Sequence, residues 1–124
     1  MRKLLIFLLT IVTVSTYSQM CVVPVKFTSV GVNVSGNKTT IRWTTGEEIN
    51  NKEFVVERSQ DNYLWTNVAT VNPNSYHEYE VYDNYAGKTY YRIKQVDKDG
   101  GKNYSKIMYL KDNSVDKAIK VYPT

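Results

Sequence analysis

The chain has 124 residues, enough for one small domain with a hydrophobic core. It carries 16 basic and 12 acidic side chains, a formal net charge of +4 in which the two signs are interspersed. Nucleic-acid-binding proteins concentrate basic side chains on one surface, so this balance predicts no nucleic-acid partner. Eleven tyrosines favour strands, and a single cysteine excludes a disulfide within the chain.

The first eighteen residues have the composition of a secretory signal peptide. Arg2 and Lys3 form a basic start, residues 4–14 are almost wholly apolar, and Thr16 and Ser18 supply small side chains before a cleavage site. The apolar run is too short to cross a hydrocarbon core about 30 Å thick, and no later run approaches the length of a transmembrane helix. The sequence predicts a signal over residues 1–18 and an exported protein, located in the periplasm, at the cell surface or outside the cell.

Cys21 follows this site closely, which raises the question of a lipid anchor. Lipid attachment favours a small residue directly before the cysteine and Leu three residues before it, whereas Met20 and Ser18 stand there. The sequence therefore favours a free thiol near the mature N-terminus, and the lipid anchor stays open as an alternative.

The rest of the chain alternates apolar and polar residues with the period of half-buried strands. Turn residues such as Gly, Asn, Asp and Pro separate these segments, and no helical periodicity is present. The pattern predicts an all-β, seven-stranded antiparallel β-sandwich. The predicted strands lie at residues 25–34, 39–44, 54–58, 63–71, 76–82 and, as two strands around a turn, within 89–110.

One face of each predicted strand supplies the core between the two sheets. The predicted core residues are Phe27, Val30, Val32, Ile41, Trp43, Phe54, Val56, Trp65, Val68, Tyr79, Val81, Tyr91, Ile93 and Ile107. Residues 112–124 are polar and charged at first, and we predict that they form a linker or tail.

Three segments resemble a known family. They are VPVKFTSVGV at 23–32, IRWTTGEEINNKEFVVERSQDNYLW at 41–65, and YYRIKQVDKDG at 90–100 followed by YSKI at 104–107. Together they resemble the fibronectin type III-like domain found near the C-termini of secreted proteins in bacteria with a type IX secretion system. The resemblance implies a fibronectin type III-like or immunoglobulin-like sandwich over residues 23–111 and a non-catalytic, accessory role.

In that family a linker and a C-terminal sorting domain follow, and the sorting domain opens with a Val/Ile-Tyr-Pro-Asn-Pro run. The present sequence reads Val121-Tyr122-Pro123-Thr124, with Thr at the Asn position. The resemblance implies the start of a truncated sorting domain within residues 112–124, so a structural spacer or the remnant of a longer secreted protein is an alternative function.

Three motifs were weighed as catalytic or metal sites. Residues 97–100 (Asp-Lys-Asp-Gly) lack the further acidic ligands of a calcium loop and favour a hairpin turn. Glu47 and Glu48 are adjacent, so they cannot face each other across a sugar as glycosidase carboxyls do. His77 has no nucleophile beside it. We therefore predict no enzymatic activity, no catalytic residue, no metal and no cofactor.

Exposed tyrosines offer a different function. Tyr63, Tyr85 and Tyr104 are candidate ligand contacts, because aromatic faces stack on sugar rings. The sequence leaves open a carbohydrate-binding module that uses these tyrosines.

The favoured hypothesis is an accessory or adhesion-type module that presents loops to a protein or a surface. Residues 46–51 and 97–102 are the candidate contact loops. We expect a monomer with an unknown protein or glycan partner.

Overall fold

The computed structural model describes residues 24–85, 87–111 and 120–123, and these residues form strands and connecting loops without a helix. The predicted signal peptide and Cys21 lie outside the described residues. The strands are β1 (Phe27–Ser35), β2 (Lys38–Thr45), β3 (Asn51–Ser59), β4 (Thr66–Val71), β5 (Glu78–Asp83), β6 (Thr89–Asp97), β7 (Lys102–Tyr104), β8 (Met108–Leu110) and β9 (Lys120–Pro123).

These strands form two antiparallel sheets. The first sheet has the order β5-β2-β1-β9, and the second has the order β4-β3-β6-β7, with β8 also paired to β6. Tight turns join the paired strands where the backbone reaches positive φ, as at Gly36 (φ 61°) and Gly100 (φ 93°), a conformation that glycine adopts without steric cost. The all-β, sandwich-like architecture therefore agrees with the alternation of the sequence. The described residues form nine strands rather than the seven predicted, because the predicted last strand is divided into β7 and β8 and residues 120–123 add β9.

The core lies between the sheets and is built on three aromatic rings. Trp43 on β2 stacks on Tyr79 of the neighbouring β5, with 5.2 Å between ring centroids. Phe54 of the second sheet meets both rings, at 5.6 Å from Trp43 and 4.6 Å from Tyr79. Such tilted and stacked contacts add to the apolar area that the rings bury.

Most residues predicted for the core are buried, namely Phe27, Val30, Val32, Ile41, Trp43, Phe54, Val56, Tyr79, Tyr91 and Ile93. Val68 and Val81 are partly buried against the same cluster, which also includes Val25, Val34, Met108 and Leu110, four residues that the sequence analysis omitted.

Trp65 and Ile107 differ from their predicted place in the core. Trp65 is half-buried and packs against Arg92 on the outer face of the second sheet. Ile107 is 43% exposed because the predicted last strand breaks into β7 and β8. At this break the Ser105 hydroxyl accepts a hydrogen bond from the Ile93 backbone amide at 2.8 Å. The side chain thus takes the place of a backbone acceptor on the next strand, and the alternation of buried and exposed residues shifts.

The last described segment extends the first sheet. Residues 120–123, predicted as part of a tail, form β9 antiparallel to β1, with Tyr122 opposite Val30. An edge strand offers unpaired backbone groups, and a neighbouring extended segment satisfies them. Residues 112–119 and 124 lie outside the described residues.

A partly buried ion pair joins the two sheets at the end where β3 and β5 finish. Arg58 Nη1 lies 2.7 and 2.6 Å from the two carboxylate oxygens of Asp83, and the Tyr91 hydroxyl donates to Asp83 Oδ2 at 2.8 Å. The hydrogen bond with Asp83 raises the pKa of Arg58. Burial, together with Asp83, raises the pKa of Tyr91. At neutral pH Arg58 is therefore a cation, and Tyr91 is a neutral hydroxyl that donates to Asp83.

Replacing Trp43 by Ala should lower the free energy of unfolding by about 3–5 kcal/mol, because the change leaves a cavity between Phe54 and Tyr79. Chemical denaturation measures this loss. Leu64→Ala is the control: Leu64 is 70% exposed, so the change should stay within about 0.5 kcal/mol. Equal stability of Trp43→Ala and the unmodified protein would contradict this description of the core.

Candidate functional site

Three loops meet at one end of the molecule, and we call this surface the loop end. It comprises the β2–β3 loop (residues 46–50), the β4–β5 loop (72–77) and the β6–β7 turn (98–101). The Lys98 amide donates to the Asn50 carbonyl at 2.9 Å, and the Thr45 amide donates to the His77 carbonyl at 3.0 Å. The two loops singled out in the sequence as contact loops are thus hydrogen-bonded to each other.

A buried carboxylate holds the loop end together from beneath. The side chain of Glu48 is only 5% exposed. It accepts hydrogen bonds from Thr45 Oγ1 at 2.5 Å, from Asn51 Nδ2 at 2.6 Å and from the Tyr79 hydroxyl at 2.8 Å. A carboxylate taken out of water needs such donors to offset its lost hydration. Glu48 therefore ties its own loop to β3 and β5.

The same network continues into the other two loops. The Asn74 amide donates to the Tyr79 hydroxyl at 3.0 Å, which attaches the β4–β5 loop. Gln95 Nε2 on β6 donates to Asn51 Oδ1 at 3.0 Å and to Asp97 Oδ1 at 2.7 Å, which ties the end of β6 to the start of β3. The β4–β5 loop is thus linked to Glu48 through side chains, whereas the β6–β7 turn is joined to the β2–β3 loop by the backbone bond from Lys98 to Asn50.

The surface above this network carries two exposed apolar side chains. Ile49, next to Glu48, is 52% exposed, and Tyr76 in the β4–β5 loop is 82% exposed. The backbone presents them from constrained positions, since the neighbouring Asn50 and His77 have φ values of 61° and 55°. A large apolar side chain on a fixed backbone is the usual form of a binding contact between proteins.

His77 and the segment 97–100, both considered above as catalytic or metal groups, lie at the loop end. His77 Nε2 lies 3.9 Å from Glu48 Oε2, and both oxygens of Glu48 already accept other donors. The segment 97–100 is a hairpin turn in which the Gly100 amide donates to the Asp97 carbonyl at 3.0 Å. Over the described part of the chain, no group of three or more His, Cys, Asp or Glu side chains is able to hold a metal ion.

The three predicted ligand tyrosines lie in different environments. Tyr63, in the β3–β4 connection, is 81% exposed. Tyr85 lies in the β5–β6 connection, where Arg58 packs 4.9 Å from its ring and Gln60 donates to its hydroxyl at 2.7 Å. Tyr104 is on β7 and packs against Arg92.

Arg92 forms a contact that the sequence analysis did not identify. Its guanidinium carbon lies 4.1 Å from the ring centroid of Trp65 and 4.4 Å from that of Tyr104. The guanidinium is thus packed between two aromatic rings on the outer face of the second sheet. Pairing of β6 with β3 and β7 brings the two rings to this guanidinium, which sequence periodicity does not reveal.

No family model, curated protein or solved structure matches this chain. In residues 24–85, 87–111 and 120–123, no helix has the length and apolar character needed to cross a membrane.

Replacing Glu48 by Gln should lower the free energy of unfolding by about 1–3 kcal/mol. The Gln amide group would direct N–H donors either at Asn51 Nδ2, which can only donate, or at the Thr45 and Tyr79 hydroxyls, which now donate to Glu48, so buried polar groups would lose a partner. Glu47→Gln is a matched control because Glu47 is exposed, and its effect should stay within about 0.5 kcal/mol. Equal effects of the two changes in urea denaturation would contradict the role given to Glu48.

Stability should also fall at alkaline pH, in part through Tyr79. Burial, with Glu48 nearby, raises the pKa of Tyr79 to about 12, whereas an unfolded tyrosine titrates near pH 10. The neutral hydroxyl therefore contributes its full stability below about pH 10, and this contribution is lost as the pH rises from about 10 through 12.

Urea denaturation across this pH range measures the loss. Tyr79→Phe should make the decline in stability between about pH 10 and 12 shallower, although Tyr91 still contributes to it. Tyr63→Phe, at an exposed position, should leave the decline unchanged. A decline as steep in Tyr79→Phe as in the unmodified protein would contradict this assignment.

Proposed function

We propose that this protein is an exported, non-catalytic module of the fibronectin type III-like type, which binds a protein partner or a surface through the loop end. Export rests on the basic start and apolar run of residues 1–18. The binding role rests on one observation above the others: hydrogen bonds join the three loops to one another around the buried Glu48, and these loops carry the exposed side chains of Ile49 and Tyr76.

The sheet order supports the type of sandwich proposed. In an immunoglobulin constant domain the fourth strand joins the sheet of the first, second and fifth strands. Here β4 pairs with β3 instead, next to β6 and β7. Tyr91, near the start of the sixth strand, donates its hydroxyl back to Asp83, as the tyrosine corner of such sandwiches does, although the acceptor here is a side-chain carboxylate and not the backbone.

The fastened loops favour binding because they are already ordered before a partner arrives. A loop that must become ordered on binding loses conformational entropy, and this loss weakens the complex. At the loop end, Glu48 accepts hydrogen bonds from Asn51 and Tyr79, and the Tyr79 hydroxyl accepts the Asn74 backbone amide, so these contacts form without a partner. Rigid sandwiches commonly carry their binding residues on loops at one end in this way.

Site-specific photo-crosslinking tests the proposal. A photoreactive phenylalanine derivative is placed at Tyr76 in one variant and at Tyr63 in another, and each is exposed to the secreted and envelope fractions of the source organism. The two positions are matched, being tyrosines that are 82% and 81% exposed at different loops. We expect a discrete cross-linked product from position 76 that Ile49→Ser reduces.

Cross-linking from position 63 that equals or exceeds that from position 76 would contradict the proposal. The same holds for a product at position 76 that Ile49→Ser leaves undiminished. The absence of any product at either position would favour a structural spacer instead.

A further inference from the structure

The outer face of the second sheet carries a packed cluster of charged and aromatic side chains that is distinct from the loop end. We call it the outer-face cluster; its members are Glu57, Trp65, Arg92, Lys94 and Tyr104. Strand pairing brings them together, since Glu57 on β3 lies opposite Arg92 on β6, and Lys94 on β6 lies opposite Tyr104 on β7. Trp65 directly precedes β4, and its ring packs against the guanidinium of Arg92.

Arg92 is held rigidly within this cluster. Its Nε donates to Glu57 Oε1 at 2.8 Å, and the rings of Trp65 and Tyr104 pack on its guanidinium. One carboxylate and two rings thus fix the cation in place. Consequently, Trp65 and Tyr104 are also fixed, and neither ring needs to become ordered when a ligand binds.

The cluster has more positive than negative charge. Lys94 Nζ lies 3.8 Å from Glu57 Oε2, beyond hydrogen-bonding distance, so two cations share one carboxylate. The side chains of Arg92, Lys94 and Glu57 are 22%, 18% and 8% exposed, respectively. Charges that are partly removed from water interact more strongly than exposed ones, so the excess cation favours an anionic group beside Lys94.

The chemistry beside Lys94 is suited to a sugar ring. Tyr104, directly opposite Lys94 in the sheet, is 45% exposed and offers an aromatic surface. Further along the face, Glu53 and Lys102 lie on either side of Val96 and carry opposite charges. The face is therefore mildly rather than strongly basic, which suits a chain with one charge per sugar better than a polyphosphate chain.

We propose that the outer-face cluster binds an acidic glycan, with a carboxylate of a uronic acid at Lys94 and the sugar ring against Tyr104. The proposal does not depend on the loop end, because none of its residues belongs to the three loops. It also differs from a platform of Tyr63, Tyr85 and Tyr104, since only Tyr104 takes part.

Titration of the full chain with galacturonate oligosaccharides tests the proposal. The trisaccharide and its methyl ester form a matched pair, because esterification removes the charge and leaves the sugar in place. We expect the acid to bind at least about tenfold more tightly than the ester. Rising salt should weaken binding of the acid and leave binding of the ester unchanged. A sulfated trisaccharide shows whether the site accepts an anion other than a carboxylate.

Two variants and two controls locate the site. Lys94→Gln and Tyr104→Ala should each weaken binding of the acid about tenfold. Lys88→Gln and Tyr63→Ala change the same residue types at exposed positions outside the cluster and should leave binding unchanged. Because Tyr104→Ala also uncovers Arg92, chemical-shift changes at the Trp65 indole in the unmodified protein provide a second readout.

Several results would overturn the proposal. The first two are the absence of binding of the acid at millimolar concentration and equal affinity for acid and ester. The others are an equal loss of affinity in the control variants and binding of a single-stranded oligonucleotide as tight as that of the acid. Loss of loop-end cross-linking in Ile49→Ser with glycan binding intact would separate this site from the proposed function.

Discussion

The side chain of Tyr79 connects the core of this protein to its loop end. Its ring stacks on Trp43 and touches Phe54 of the opposite sheet, so its position is fixed by the packing of both sheets. Its hydroxyl donates to the buried Glu48 and accepts the Asn74 amide. The conformation of two loops therefore depends on an aromatic ring that belongs to the core, and a change in core packing would be transmitted to the loop surface.

The two ends of the sandwich stabilise a buried carboxylate in different ways. At one end Asp83 is paired with the cation of Arg58 and accepts the Tyr91 hydroxyl. At the loop end Glu48 is held mainly by neutral donors, and the nearest basic group, His77, lies 3.9 Å away. A buried carboxylate needs several donors when it lacks a close cation, and this requirement draws Thr45, Asn51 and Tyr79 to one point. The hydration that Glu48 loses on burial is thus offset by the contacts that shape the loops.

Much of the fold follows from the sequence because strand alternation depends on local chemistry. Trp43, Phe54 and Tyr91 were assigned to the core by period alone, and each is buried. Trp65 was misplaced because an aromatic residue near a strand predicts burial without specifying the face. Its environment is set by Arg92, which is 27 residues further along the chain and is brought near by sheet pairing. Ile107 was misplaced because Ser105 interrupts the strand, an event that periodicity does not reveal.

Only part of the candidate site could be predicted from the sequence. Residues 46–51 and 97–102 were selected because loops commonly carry function, and the structure joins them through the Lys98–Asn50 hydrogen bond. The β4–β5 loop with Tyr76 was not selected, since its attachment depends on Asn74 reaching Tyr79. The role of Glu48 was also missed, because adjacent glutamates look alike in a sequence until one of them is buried.

Backbone order parameters from NMR relaxation would show whether the loop end is rigid before any partner binds. We expect values of about 0.85 for residues 46–51, 74–77 and 98, equal to those of the strands. The exposed β3–β4 connection serves as an internal comparison. Order parameters below about 0.6 in residues 46–51 would contradict the account, because a carboxylate held by three donors would then not be ordering the loops.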